Sequence, residues 1–240
     1  MTVTVLQLSD MHFTAESGGL VSGFDPETRL AAVLSAWAAL AEVPDLVVLT
    51  GDNTDDASPG GYVRLASALS VIHAPVLAVA GNHDDPVEVA AVFGGGVCAE
   101  LGAWRMVTLD SSRPMQIHGT VDVAAAIQLL DSLDTRPTVV AIHHPPVSNS
   151  TGPYFQLDDG PSLLAALAAR PHVRALISGH LHEAFEFVGP GGLALLGCPS
   201  TIMAIAHHGD EFTVGADAPT GARILHLEDN GTLSTTLLVA

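Results

Sequence analysis

Short apolar runs alternate with amphipathic stretches along the first three quarters of the chain. The apolar runs are four to six residues long, as is typical of buried strands, and cover Val3–Leu8, Leu46–Thr50, Val76–Ala80, Trp104–Leu109, Thr138–Ile142 and Arg174–Ile177. Apolar residues at helical spacing between these runs predict helices that begin at about Asp25, Gly61, Pro86, Val121 and Pro161. This alternation indicates an α/β fold with a parallel core.

The pattern changes after Ile177, where the predicted helices stop. Five short runs separated by Gly and Pro look like antiparallel strands, at Phe185–Val188, Leu193–Leu196, Thr201–Ile205, Arg223–Leu227 and Leu233–Val239. We expect this β-rich tail to extend or cover the parallel core. The sequence has no composition shift that marks a boundary, so we expect one domain over residues 1–240.

Composition narrows the class of protein. The chain has 240 residues, of which 48% are apolar, so it can bury a sizeable core. It contains no apolar run near ~18 residues, and its start lacks a basic segment, so neither a transmembrane helix nor a signal peptide is expected. With only two cysteines, Cys98 and Cys198, a disulfide framework is not indicated, and we expect a cytoplasmic protein.

The charge balance argues against two kinds of partner. The net charge is −18, from 26 acidic and 8 basic residues, and every basic residue is arginine. Nucleic-acid affinity depends on neutralising phosphates, so DNA or RNA is not expected as the main partner. Acidic membrane surfaces are disfavoured for the same reason. The twelve histidines point instead towards metal chemistry.

Polar side chains follow five of the predicted strands. The clusters are Asp10/His12, Asp52/Asp55, Asn82/His83, His143 and His180/His182. Since the carboxyl ends of parallel strands meet at one sheet edge, where ligands bind in open α/β sheets, these side chains should share a cleft. Asp and Asn oxygens and His nitrogens suit Mn, Fe, Zn or Co. Seven ligands are too many for one metal with an open position and about right for two, which together can clamp a phosphoryl group.

Each cluster also has a simpler interpretation. An Asp after a strand is usually a helix cap or a turn former, and a His beside Pro, as at His143, is more often a loop residue. The pair His180/His182 is more specific, because two histidines two residues apart after a glycine can face one site. The joint occurrence of all five clusters favours the metal site.

These clusters resemble a known set of motifs. The segments match the five motifs of the calcineurin-like metallophosphoesterases in order and spacing: Asp10-x-His12, Gly51-Asp52-x-x-Asp55, Gly81-Asn82-His83-Asp84, His143-x-Pro145 and Gly179-His180-x-His182. Within that superfamily three segments look like the bacterial class III cyclic nucleotide phosphodiesterases: Gly51–Tyr62, His143–Pro146 and Cys198–Thr201.

The resemblance implies a four-layer α/β/β/α sandwich with two metal ions, most typically Fe and/or Mn, with Zn or Co as alternatives. Asp10, His12 and His182 would hold one ion, and Asn82, His143 and His180 the other, with Asp52 bridging both. His83 would protonate or stabilise the leaving oxygen, and Asp55 would hydrogen-bond His83. It also implies hydrolysis of a small phosphodiester, such as cyclic AMP, by a metal-bound hydroxide, and suggests a homodimer.

The substrate rim is less defined by the sequence. Because the chain has no lysine, substrate phosphate is left to the metals, to Arg113 and to histidines that include His144 and His207, each of which could equally be an ordinary loop histidine. Asn53 stands where the family has an apolar residue, which predicts a different cleft wall. No base accompanies Ser111 in an evident motif, so we do not predict a serine nucleophile.

Three other functions are compatible with the pattern. A phosphodiesterase or monoesterase for a glycerophosphodiester or nucleotide would share the core and differ at the rim. A Ser/Thr protein phosphatase is disfavoured, because Asp55 is not followed by Arg-Gly and Asp84 replaces the usual Glu. A non-catalytic scaffold would require loss of ligands, and none is lost.

Overall fold

Thirteen strands and five α-helices make up the described part of the chain. The computed structural model describes residues 1–113, 116–148, 155, 157–209, 211–215 and 218–240. The helices are α1 (Pro26–Ala39), α2 (Pro59–Leu69), α3 (Pro86–Phe93), α4 (Val123–Ser132) and α5 (Gly160–Ala168). The strands are β1 (Thr2–Leu8), β2 (Leu46–Thr50), β3 (Val76–Val79), β4 (Cys98–Leu101), β5 (Trp104–Thr108), β6 (Thr138–Ala141), β7 (Val173–Ser178), β8 (Phe185–Val188), β9 (Ala194–Gly197), β10 (Ile205–His208), β11 (Glu211–Val214), β12 (Gly221–Glu228) and β13 (Leu233–Val239).

The strands form two large sheets and one hairpin. The first sheet has the order β13-β12-β1-β2-β3, the second β4-β5-β6-β7-β9-β8, and β10 pairs only with β11. Strands β1, β2 and β3 are parallel, as are β5, β6, β7 and β9. The predicted parallel core is therefore divided between two sheets.

Side-chain alternation along the strands creates the layers. On β1, Leu6 and Leu8 pack with Leu30 and Trp37 of α1 on the outer face of the first sheet. Val5 points the other way, into a core between the two sheets. The outer face of the second sheet packs on α4 and α5 through Val140, Leu176, Leu130, Leu163 and Leu167. The expected α/β/β/α sandwich is confirmed.

The tail extends both sheets, as expected, but its strands differ from the predicted antiparallel set. Strand β9 runs parallel to β7 and only β8 is antiparallel to β9, whereas β12 returns to pair antiparallel with β1. Residues 201–204 are not a strand, because the Ser200 hydroxyl accepts hydrogen bonds from the main-chain N–H groups of Ile202 and Met203 and turns the chain. Strand β11 in the tail, and strand β4 in the first half of the chain, were not predicted.

The carboxyl ends of β1, β2, β6 and β7 meet where the two sheets adjoin. The main-chain N–H of Asp10 donates to Gly51 at 3.0 Å, and that of Gly179 donates to His143 at 3.1 Å. The His143 ring then crosses between the sheets and bonds the Thr50 carbonyl through Nδ1 at 2.7 Å. The predicted polar clusters are therefore brought to one place. No helix in the described ranges is long and apolar enough to cross a membrane.

Candidate metal centre

The loops that carry the polar clusters have an unusual backbone. Left-handed φ angles between 47° and 71° occur at Asp10, His12, Asp52, His180 and His182. Such angles are uncommon for residues other than glycine, and Asp and His tolerate them better than most. These turns fold the chain sharply after the strand so that the side chains point back over the sheet edge. Backbone strain of this kind concentrates at functional sites.

Two glycines allow these loops to approach one another. A Cβ at Gly81 would lie 2.1 Å from Oδ1 of Asp52, and a Cβ at Gly179 would lie 1.9 Å from the Ser9 hydroxyl and 2.8 Å from Oδ2 of Asp10. No side chain fits in either space. The glycines in the two motifs thus keep room for the neighbouring carboxylates.

One group of ligand atoms gathers around His12 and His182. Their Nε2 atoms are 3.2 Å apart. Asp52 Oδ2 lies 3.7 Å from Nε2 of His12, and Asp10 Oδ1 lies 3.6 Å from Nε2 of His182. All four side chains are almost completely buried. The donor atoms are two imidazole nitrogens and two carboxylate oxygens, which can surround one cation.

A second group lies on the other side of Asp52. Nε2 of His143 is 3.1 Å from the Asn82 side-chain oxygen and 3.4 Å from Oδ1 of Asp52. The His180 ring lies next to that of His143, with 5.0 Å between ring centroids. Asp52 therefore presents one carboxylate oxygen to each group.

The outer nitrogens of three of these histidines are already bonded. His12 Nδ1 pairs with the Asp55 carboxylate at 3.1 Å, and Nδ1 of His182 pairs with the Met203 carbonyl at 2.9 Å. His143 makes the equivalent bond to Thr50. Acceptors on these outer atoms fix the proton on Nδ1 and leave the Nε2 lone pair pointing inward, as in metal-ligating histidines.

This arrangement fits a cation better than it fits hydrogen bonding. With protons on both Nδ1 atoms, the Nε2 lone pairs of His12 and His182 face each other at 3.2 Å. The nearby Asp10 and Asp52 carboxylates add only acceptors. A metal ion satisfies all four atoms at once, so the residues present fit the predicted group.

Burial and neighbouring charges shift the pKa values of these side chains. Burial raises the pKa of Asp10 to about 6. Burial also opposes ionisation of Asp52, but His143 and His12 outweigh it and hold the pKa of Asp52 well below its usual range. Burial lowers the pKa of His182 to about 3, which leaves its ring neutral and able to act as a ligand.

His83 lies at the open side of the two groups. Its ring is 4.8 Å from that of His12, and its main-chain N–H donates to Oδ1 of Asp52 at 2.9 Å. Its side chain is 40% exposed, so it can reach a substrate. The hydrogen bond expected between Asp55 and His83 is accepted by the Asp55 main-chain carbonyl, while the Asp55 carboxylate lies 3.7 Å from Nδ1 of His83. Nδ1 of His83 bonds the Asp55 main-chain carbonyl at 2.8 Å, and the Asp55 carboxylate bonds His12 instead.

Comparison with known proteins agrees with this geometry. A model of the calcineurin-like phosphoesterase family matches residues 3–184. The chain belongs to this family. It is a metal-dependent phosphoric ester hydrolase with clustered His and Asp residues able to bind metals.

Relatives of this phosphoesterase align along nearly its whole length. It is 34% identical over 98% of its length to the 3′,5′-cyclic adenosine monophosphate phosphodiesterase CpdA of Pseudomonas aeruginosa, covering 89% of that protein. It is 33% identical over 96% of its length to a protein of Synechococcus sp. named a probable cyclic nucleotide phosphodiesterase, covering 90% of it.

Solved structures share the fold of this phosphoesterase at low identity. A dimetal phosphatase from Danio rerio matches 99% of the chain and 98% of its own, with a TM-score of 0.63 and 13% identity. A purple acid phosphatase from yellow lupin matches the whole chain and 54% of its own, with a TM-score of 0.67 and 14% identity.

The predicted rim residues of this phosphoesterase differ in placement. His144 is completely buried behind His143 and His180, and its ring nitrogens bond the Ser111 hydroxyl and the Ile117 carbonyl, each at 2.8 Å. It therefore supports the ligands and does not reach the rim, which corrects the prediction. Ser111 thus does have a histidine partner, although both residues are buried.

The two other rim candidates are also engaged elsewhere. Arg113 forms an ion pair with Asp158 at 2.9 Å, and it is not among the described residues that line the cavities over the metal groups. His207 bonds the Leu181 carbonyl through Nε2 at 3.0 Å and packs edge-on against Phe155.

The supporting role of one residue, Asp84, was not predicted from the sequence. The Asp84 carboxylate accepts hydrogen bonds from the main-chain N–H groups of Gly81, Asn53 and Thr54, and from the Asn53 side chain. It ties the loop after β2 to the loop after β3. Asn53 also donates to the Val79 carbonyl, so it belongs to this support and not to a cleft wall. The only sequence signal was the position of Asp84 at the end of its motif.

Proposed function

We propose that this chain is a dinuclear phosphodiesterase that hydrolyses a cyclic nucleotide such as cyclic AMP. The observation that carries the proposal is the position of Asp52, which turns one carboxylate oxygen to each of two ligand groups. Relatives at 33–34% identity that are named cyclic nucleotide or cyclic AMP phosphodiesterases support the substrate class.

The chain offers a separate set of ligands for each ion. Asp10, His12 and His182 would hold one ion, and Asn82, His143 and His180 the other, with Asp52 shared. Two ions bound there would lower the pKa of a water so that it can attack phosphorus and would stabilise charge on the phosphoryl oxygens. Oxygen and imidazole donors without a thiolate suit Fe and Mn, with Zn or Co as alternatives.

His83 would supply the proton for the leaving oxygen. Its ring is exposed, lies beside His12 and is oriented through Nδ1 by the Asp55 carbonyl, so Nε2 is the atom free to face a substrate. An imidazole in this position can donate a proton as the ester bond breaks. The Asp55 carboxylate acts on His12, where it fixes the tautomer that binds metal through Nε2.

Hydrolysis of a panel of phosphate esters tests the substrate class. After chelation and addition of Mn²⁺, we expect cyclic AMP to be cleaved with an efficiency near the best of the panel. Efficient cleavage of bis(p-nitrophenyl) phosphate with hardly any of cyclic AMP would keep the dinuclear chemistry and reject the cyclic nucleotide. Bound metal without hydrolysis of any ester would favour a non-catalytic scaffold.

A further inference from the structure

The cavity over the metal groups has two chemically different parts. Its volume is about 460 Å³, and its floor includes five of the seven proposed ligands together with Asp55 and His83. A wall of apolar side chains rises from that floor and comes from separate parts of the chain: Val21, Ile117, Phe155, Met203, Ile205 and Phe212. The volume suits a ligand of mononucleotide size. Coordination of a phosphate would use the floor and leave the wall for the rest of the substrate.

The outer part of this wall has a partly exposed aromatic ring. Phe212 lies on β11 of the β10–β11 hairpin, and 46% of its surface is exposed. The buried Phe155 meets its ring edge-on, with 5.3 Å between centroids and 87° between planes. Phe155 is held in turn by His207 of the same hairpin, at 4.6 Å. The Phe212 ring is therefore supported on one side while much of its surface stays accessible.

The described part of the wall has few side chains that could hydrogen-bond to polar atoms of a ligand. Among its described lining residues only Ser22, next to Val21, has a polar side chain. Arg113, the cation from the neighbouring loop, is engaged by Asp158. A planar ring can be bound here by stacking, and among the described residues of the wall only the Ser22 hydroxyl could contact the donors and acceptors on its edge.

We propose that Phe212 is the stacking platform for the nucleobase, and that the site accepts purine nucleotides with little preference between adenine and guanine. The proposal deepens the proposed function and rests on it, because the ligand is the nucleoside part of the same phosphodiester. Stacking on an aromatic side chain depends on the face of the base and not on its edge. An exposed phenyl ring above a phosphate-binding floor is the arrangement that such a ligand requires.

Inhibition by two phosphates that differ only in the base tests this role. AMP carries adenine and ribose 5-phosphate does not, and both are measured as competitors of bis(p-nitrophenyl) phosphate and by calorimetric titration. Phe212→Leu, which keeps an apolar side chain, and Phe212→Ala should weaken AMP about 10-fold. Both variants should leave ribose 5-phosphate within about 2-fold, because the floor is unchanged. Phe212→Tyr should bind AMP like the unaltered chain.

Val214→Ala is the matched control. Val214 lies on the same strand, is 39% exposed and is not among the described residues that line the cavity. It pairs across the hairpin with Ile205 of the wall, so its truncation perturbs the hairpin beside the wall while the Phe212 ring remains. It should leave AMP binding unchanged. Equal weakening of AMP by Val214→Ala and Phe212→Leu, or no weakening by Phe212→Leu, would overturn the stacking role.

Two further outcomes separate this inference from the proposed function. We expect AMP and GMP to bind within about 3-fold of each other, because the wall reads the ring face, and a strong preference for one purine would contradict this. If the diester is hydrolysed but AMP binds no better than ribose 5-phosphate, the stacking inference fails alone. If no ester is hydrolysed with metal bound, the proposed function fails, and calorimetry still reports on the base.

Discussion

The two halves of the molecule contribute different chemistry to one site. The loops after β1, β2 and β3 of the first sheet supply the carboxylates and the amide, from Asp10, Asp52 and Asn82, together with His12. The loops after β6 and β7 of the second sheet supply imidazoles, from His143, His180 and His182. The hydrogen bond from the main-chain N–H of His180 to the Asp10 carboxylate, at 3.0 Å, joins the halves directly.

Neither half is sufficient by itself. Each proposed ion draws ligands from both sheets, since His182 completes the group at Asp10 and His12, and His143 completes the group at Asn82. Asp52 contacts both groups. The first half therefore supplies the negative charge that retains cations, and the second supplies neutral donors that complete their coordination. The comparison predicts that activity falls most when the shared ligand is substituted, and least when a residue away from the junction of the two sheets is substituted.

The largest effect should come from the residue common to both groups. Asp52→Ala removes one oxygen from each, so we expect turnover to fall by at least about 1,000-fold, because both ions stabilise the transition state. Elemental analysis should show less than the full metal content. Asp56→Asn, a change at an exposed carboxylate four residues away, serves as the control and should keep both metals. Two tightly bound metals and full activity in Asp52→Ala would refute the shared ligand.

A smaller loss should follow from closing the space between the halves. Gly179→Ala places a methyl group against Ser9 and Asp10, so the loop after β7 must move away from the first sheet. We expect activity to fall about 100-fold and the free energy of unfolding to fall by about 1–3 kcal/mol. Gly96→Ala is the matched control, since nothing lies within 4 Å of its added carbon. Equal behaviour of the two variants would mean that the halves do not need this close approach.

Loss of an outer hydrogen bond should act on one ion only. Asp55→Ala frees Nδ1 of His12 and should weaken one of two metal-binding steps about 10- to 100-fold. Titration of Mn²⁺ into chelated protein would resolve the two steps, with Asp56→Asn again as the control. If both steps weaken equally, Asp55 does not act through His12 alone.

The smallest effect is expected at Arg113. Its ion pair with Asp158 includes none of the proposed ligands, so Arg113→Gln should change the KM for a phosphodiester by less than about 3-fold, as expected for a partly exposed pair. Steady-state kinetics would check this. If the variant instead loses most of its apparent affinity for the diester, Arg113 contacts the substrate phosphate after all.

Local patterns predicted the elements better than their partners. Strands β1, β2 and β3 were found to within about one residue, because β2 and β3 read as nearly continuous apolar segments and β1 alternates and is rich in β-branched residues. The division into two sheets depended on long-range pairing, such as β12 with β1, which no local pattern encodes. The short strand β4 contains Ala and Glu and was missed for lack of a β-like composition.

The site, like the fold, was predicted only where a local sequence pattern marks it. The proposed ligands were found because each stands in a motif at a strand end. The positions of His144 and Asp84 were not predictable, because burial behind a ligand depends on how the second sheet packs against the first. The wall around Phe212 was missed for the same reason, since its residues come from distant segments and share no motif.

Electron paramagnetic resonance of the Mn²⁺-loaded protein tests the central claim most directly. If both halves build one dinuclear site, chelated protein should take up two Mn²⁺ per chain, and their spectrum should show exchange coupling, as expected for ions about 3.5–4 Å apart. A single Mn²⁺ per chain, or two ions without coupling, would contradict the account.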